Sequence, residues 1–162
     1  MGKILNHIIA LAIIFLASCI YSCNTDGCTE NQSSIPLAGF YSSENGTAIS
    51  VSSLEIIGIG AICDSILNNS ISAIQQVYLP LRSTQNNTAY RFQYNDSIIY
   101  CDTIWFEYNS TPYFASEECG AMYRYTITST RYTNFFIDSV IVTDPEITNI
   151  DVERIKIYFK TN

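Results

Sequence analysis

The stretch Thr103-Ile104-Trp105-Phe106-Glu107-Tyr108 decides the fold class. Ile104, Phe106 and Tyr108 alternate with Thr103, Trp105 and Glu107, the period of two that sends successive side chains to opposite faces of a strand. The pattern recurs outward along the chain. Tyr90, Phe92 and Tyr94 alternate with Arg91 and Gln93; Tyr123, Tyr125 and Ile127 with Arg124, Thr126 and Thr128; Ile155, Ile157 and Phe159 with Arg154, Lys156 and Tyr158. Val77, Leu79 and Leu81 form a further apolar face. Ile49 and Val51 begin another, whose phase slips at Ser52-Ser53 before Leu54 and Ile56, as a bulge would make it do. Turn-forming pairs separate these runs: Asn45-Gly46, Asn68-Asn69, Asn86-Asn87, Asn95-Asp96 and Asp144-Pro145. No stretch carries a capped period of 3.6, and there are no internal repeats. Twelve Tyr, eight Phe and abundant Ile, Thr and Ser reinforce strands over helices. The expectation is an all-β antiparallel β-sandwich of eight or nine strands over residues 35–162, with a small closed β-barrel as the alternative.

The N-terminus carries a different signal. One positive charge, Lys3, precedes an apolar run from Ile8 to Ala17. That run is shorter than the roughly 20 apolar residues a spanning helix needs, and it reads as the core of an export signal. It ends at Leu16-Ala17-Ser18-Cys19, which resembles the lipobox of bacterial lipoproteins. The resemblance implies cleavage before Cys19 and lipid on its thiol, with residues 1–18 the signal peptide. A second candidate, Ile20-Tyr21-Ser22-Cys23, places the bulky Tyr21 where a small side chain is wanted. Myristoylation at Gly2 is excluded by the export run that follows. Residues 19–34, rich in Ser, Thr, Asn and Gln, read as a flexible tether.

Charge narrows the partners. The chain carries −7, and loss of Lys3 takes the mature form to −8. Nucleic acid is excluded as a partner because phosphate binding needs Lys and Arg in number. Adsorption to anionic headgroups is excluded for the same reason, which leaves lipid on Cys19 as the membrane attachment. The residues after Cys19 lack an acidic run resembling a surface-export signal, so the expected location is the outer membrane, facing the periplasm.

Export puts the remaining cysteines in an oxidising compartment. Cys28, Cys63, Cys101 and Cys119 form an even set in or beside predicted strands. Spacing allows three pairings; Cys63–Cys101 with Cys28–Cys119 is the expected one, and Cys23 is left over in the tether. No C-x-x-C occurs, and the single histidine, His7, leaves with the signal. The mature chain therefore lacks any ordinary Ser-His-Asp or Cys-His catalytic set, as well as the commonest zinc ligand. No cofactor and no metal are expected.

With the strands laid out, the chain resembles a family of Bacteroidota envelope lipoproteins known only as a domain of unknown function. The likeness runs through residues 64–69, Val77-Tyr78-Leu79-Pro80-Leu81, residues 102–108, Glu118-Cys119-Gly120, Ile137-Asp138-Ser139-Val140 and residues 155–159. It covers about residues 28–160 and departs at Cys63 and Cys101. It implies an exported lipoprotein and brings no known activity or catalytic residues.

Four chemistries merit weighing. A carboxylate pair for glycoside hydrolysis would come from Asp102, Glu107, Glu117 or Glu118, the acids near aromatic residues, though nothing in the spacing fixes such a pair. Residues 144–153 gather hard oxygen ligands for calcium but lack the order and glycine of an EF-hand. The aromatic set Tyr108, Tyr113, Phe114 and Tyr123 would serve carbohydrate or a protein partner, against core packing as the plain explanation. Trp105, on the face opposite Phe106, is the best single candidate for an exposed contact. The fourth is modification. Four of seven Asp residues head Asp-Ser/Thr-apolar triplets, at Ser65, Ser97, Thr103 and Ser139. These resemble the O-glycosylation motif of exported Bacteroidota proteins, and Ser97, at a turn, is the preferred site. The expected function is a non-enzymatic, lipid-anchored envelope protein that binds a partner or supports an assembly; the alternative is a glycan-binding or carbohydrate-active protein.

Overall fold

The computed structural model describes residues 34–60, 64–69, 72–94, 97–117 and 119–161. The expected signal peptide at residues 1–18 and the cysteines Cys19, Cys23, Cys28 and Cys63 lie outside the described residues. Ten strands follow one another: β1 (Leu37–Ser42), β2 (Leu54–Ile59), β3 (Ser65–Asn69), β4 (Gln76–Tyr78), β5 (Asn87–Tyr94), β6 (Ser97–Ser116), β7 (Gly120–Tyr132), β8 (Ile137–Val142), β9 (Glu146–Ile147) and β10 (Glu153–Phe159). There is no helix among the described residues, and so none long and apolar enough to cross a membrane.

The strands form two sheets, in the orders β4-β1-β10-β8 and β3-β2-β5-β6-β7-β9. The second curls into a half-barrel, so the molecule combines the expected sandwich with part of the barrel alternative. The curl has a local cause. β6 runs for 20 residues, pairing first with β5 and then with β7, and its register to β7 shifts at Glu107/Tyr108 and again at Phe114/Ser116. Each bulge adds twist and bends the strand.

The alternation places the core as read. Tyr90, Phe92 and Tyr94, Ile104, Phe106 and Tyr108, and Ile155, Ile157 and Phe159 are all buried and form one cluster with Phe40, Leu54 and Ile56. Two departures have clear causes. On β7 the buried residues are Met122, Tyr125 and Ile127, so Tyr123 is 43% exposed; the phase slips at Tyr123-Arg124, which pair with Pro112 and Thr111 between the two bulges of β6. The slip at Ser52-Ser53 is a bend, not a bulge within one strand. Val51 makes an isolated bridge to Ile74, and Ser53 takes the left-handed φ of 54° before β2 begins. Not every pair is antiparallel either. β1 and β10, from opposite ends of the domain, lie parallel, with Phe40 opposite Ile157 and Ser42 opposite Phe159.

Candidate functional site

The segment between β4 and β5, residues 79–86, crosses from one sheet to the other. A crossing loop over a core exposes backbone polar groups that must find partners. Three tyrosines supply them. The Tyr90 hydroxyl donates to the Pro80 carbonyl, and the Tyr125 hydroxyl to the Leu81 carbonyl at 3.4 Å. Tyr108 accepts from the Arg82 N–H at 2.9 Å and lies within 2.8 Å of Thr88 Oγ1. Ser110 Oγ adds a bond to the Ser83 carbonyl at 3.0 Å. Burial raises both the Tyr90 and the Tyr125 hydroxyl above the usual phenol value, which keeps them neutral donors.

Arg82 then anchors the crossover sideways. Its guanidinium donates to the carbonyls of Gly60 (2.6 Å) and Ile59 (3.0 Å) at the end of β2, and to Gln85 Oε1 at 3.0 Å. The outcome is a rigid polar ledge, residues 82–87, bordered by open clefts. One, of about 540 Å³, runs between Arg82, Gln85, Asn87 and Trp105. A second, of about 340 Å³, lies between Asn86, Asn87, Glu107, Asn109 and Thr128. A third, of about 620 Å³, lies on the other flank between Ile35, Leu81, Cys119, Met122 and Tyr125.

Trp105 lines the first of these clefts. It is half-buried, and the Arg131 guanidinium sits 5.7 Å from its ring centroid while also reaching Glu107 at 3.9 Å. Both charged partners are largely exposed, so this contact orients more than it stabilises.

The candidate acids are not brought together. Glu107, on β6, lines the second cleft beside the ledge. Glu117 lies ten positions further along β6 and its turn, about 30 Å if the strand were straight. Glu118 is outside the described residues. Asp102 is wholly buried and spoken for: its carboxylate accepts from the N–H groups of Phe135 (2.7 Å), Phe136 (2.7 Å) and Ile137 (2.9 Å) and from Thr133 Oγ1 (2.8 Å). It ties the β7–β8 connection to β6. Sequence reasoning missed this knot, because an Asp inside an alternating strand reads as a turn or surface residue.

Residues 144–153 do not converge either. Asp144 pairs with Arg154, Asp151 accepts from Tyr78 at 2.9 Å, and Glu153 accepts from Tyr41 at 2.7 Å. Among the described residues no three His, Cys, Asp or Glu side chains approach one another as metal ligands would. Of the aromatic set, Tyr108 belongs to the core. Tyr113 donates to Asn149 at 3.0 Å, and Phe114 is 68% exposed.

The four triplets differ in access. Asp64, Ser65 and Ile66 are all exposed on the edge strand β3. Thr103 lies between two wholly buried residues, Asp102 and Ile104. Ser139 is half-buried on edge strand β8. Ser97 opens β6, but Asp96 is outside the described residues.

Cys101 stands opposite Gln93 on β6, and Cys119 lies in the turn after β6 with its N–H donated to Ser116 Oγ at 3.0 Å.

Residues 53–159 match a family of unknown function, DUF6452. The chain belongs to that family. The matched span of this DUF6452 chain begins at the bend before β2 and runs to the end of β10, so it takes in the crossover, Trp105 and the Asp102 knot. Comparison with curated proteins and with solved structures gave no match.

Proposed function

We propose that this DUF6452 chain is an exported, lipid-anchored cell-envelope protein with a non-enzymatic binding role, and that the 82–87 ledge is its binding surface. The observation that carries the ledge is its construction. Three tyrosine hydroxyls and one arginine hold the backbone rigid while the side chains of Thr84, Gln85, Asn86 and Asn87 stay exposed toward the clefts. Preorganised polar groups bind without first having to be ordered. Export and anchoring rest on the lipobox-like ending at Cys19, and a non-enzymatic role on a mature chain without histidine.

A second reading has its own support. Trp105 beside a row of amides is the chemistry that recognises a glycan: an apolar ring for a sugar face, carboxamides for its hydroxyls.

Trp105 is the protein's one tryptophan, so its fluorescence reports the cleft directly. The test titrates the purified protein with envelope glycan fragments, and separately cross-links from position 86 in native envelopes. A saturable change in emission supports the glycan reading. Capture of one defined protein, lost in Trp105→Ala or Asn87→Ala, supports the protein-partner reading. Capture and emission indifferent to both substitutions would remove the ledge from consideration. Mature protein without lipid on Cys19 would remove the anchoring.

A further inference from the structure

We infer that the outer part of the β6–β7 hairpin is a second membrane contact of this chain, which lays Pro112, Phe114 and Tyr123 on a zwitterionic lipid surface. The inference rests on the lipid-anchor reading above and gives the anchored domain an orientation.

The hairpin outruns the sheet that carries it. β5 leaves β6 at the Asn87–Glu107 pair, and β9 meets β7 only at Tyr125 and Thr126. From the Thr111–Arg124 pair outward, each strand has only the other as a strand partner among the described residues. That arm is about 17 Å long. Its two faces differ. Tyr113 stands opposite Met122 and is seated: its hydroxyl donates to Asn149 Oδ1 at 3.0 Å, and Met122 is buried. The other face is bare. Pro112 stands opposite Tyr123, and Phe114 opposite Ala121, so these four share it. All four are exposed, Phe114 at 68% and Tyr123 at 43%. An arm fixed on one face and apolar on the other presents a surface that its own packing does not use.

Three observations name the occupant. The first is where the chain enters. Ile35 lines the groove beside Tyr123, and β1 runs away from that end toward Ser42. Cys19 precedes Ser34 by fifteen positions, so the lipid is joined to the domain beside the arm. The second is charge. Glu117 at the tip and Arg124 on the flank are both exposed, one of each sign, the complement of a headgroup that carries an ammonium and a phosphate. The net charge of −7 opposes an anionic surface instead. The third is Pro112, which lacks an N–H and blunts the arm against an added protein strand. Tyrosine and phenylalanine rings are stable at the boundary between water and lipid.

Another exposed aromatic pair supplies the control. Tyr100 and Phe135 lie 5.6 Å apart, ring to ring, at the start of β6, fourteen positions before Phe114 on that strand. Nearby, the Lys160 N–H after β10 donates to the Phe136 carbonyl, and Ser42 at the end of β1 pairs with Phe159. This is the end of the domain remote from Ile35. With the arm on the lipid, the Tyr100–Phe135 end points away. The 82–87 ledge then lies near the headgroups, since Arg82 and Thr84 line the groove beside the arm.

The experiment places a single tryptophan at either end, Phe114→Trp or Phe135→Trp, in a Trp105→Phe background. Vesicles of phosphatidylethanolamine and phosphatidylcholine carry bromine on their acyl chains, which quenches tryptophan at the interface. One arm of the test reconstitutes the mature protein extracted from native envelopes. The other tethers the mature chain by an N-terminal hexahistidine to the same vesicles carrying a nickel-chelating lipid. In both, quenching at position 114 should be at least about twofold greater than at position 135, with a blue shift at 114 alone. Adding phosphatidylglycerol should weaken the quenching at 114. Tyr100→Trp reports the same end if Phe135→Trp does not fold. Equal quenching at the two ends, stronger quenching at 135, or none at 114 in the tethered arm overturns the inference, and stronger quenching at 114 on phosphatidylglycerol overturns its headgroup assignment. Quenching at 114 in the tethered arm, with no lipid on Cys19 in the native protein, overturns the anchor reading alone and leaves the arm a lipid-binding surface.

Discussion

The Tyr108 hydroxyl grips one residue of the ledge from both sides, accepting from the Arg82 N–H at 2.9 Å and lying 3.1 Å from the Arg82 carbonyl. A buried side chain of the longest strand thus sets the position of a backbone that belongs to neither sheet. Tyr108→Phe keeps the ring and its edge-on packing against Tyr125 at 5.5 Å but removes the oxygen. The Arg82 N–H and Thr88 Oγ1 lose a buried partner, so the cost should be about 1–3 kcal/mol by urea unfolding, with the fold retained. Binding at the ledge should weaken alongside.

Asp102 is the second place where one oxygen-bearing group organises many donors. Three consecutive backbone N–H groups and a threonine hydroxyl point at its carboxylate. Asp102→Ala strands them all in the interior and should destabilise by about 3 kcal/mol or more. Asp102→Asn turns one acceptor into a donor facing N–H groups and should cost nearly as much. Chemical denaturation of both variants checks this. A change under about 0.5 kcal/mol, the range of a surface substitution, would contradict the knot.

Alkaline pH should unfold the domain through its phenols. The hydrogen bond to Glu153 pushes Tyr41 up to about 12, and burial holds Tyr90 and Tyr94 higher still. A phenol whose folded pKa exceeds its unfolded value near 10 stabilises fully below pH 10, and that contribution is lost as pH rises through the folded value. The melting temperature should therefore hold to about pH 9 and fall steeply above 10, with late phenolate absorbance steps appearing only on unfolding.

Gly39→Ala gives an independent handle on the Tyr41–Glu153 pair. A Cβ at Gly39 would clash with Glu153 Oε2 and meet the Tyr41 ring at 3.0 Å, so the carboxylate must swing away. Tyr41 should then titrate near the ordinary phenol value, about 10. An unchanged Tyr41 titration in this variant would contradict the contact.

Among the Asp-Ser/Thr-apolar triplets, access favours Ser65, since its neighbours Asp64 and Ile66 are exposed with it. If the native protein carries hexoses, Ser65→Ala should remove one glycan mass and Thr103→Ala none. Intact-mass spectrometry of the native protein decides it, and an unmodified mass would end the glycosylation reading altogether.

The alternation around Ile104-Trp105-Phe106 determined the all-β class and most of the core, because a half-buried strand must repeat every two residues whatever it pairs with. Turn pairs such as Asn45-Gly46 were legible for the same local reason: Gly46 takes a φ of 71° and Asn45 Oδ1 caps Thr47 at 2.9 Å. What joins distant segments was not legible. The parallel seat of β1 beside β10 unites residues more than a hundred positions apart, and no local pattern encodes it. Asp102 reads in sequence as a polar residue at a strand margin, and only the arrival of residues 133–137 makes it a buried hub. Trp105 was nameable as an outward residue, but the cleft beside it exists because Tyr90, Tyr108 and Tyr125, on three strands, hold one crossover in place. Periodicity reports which face a side chain takes, while tertiary packing decides what that face meets.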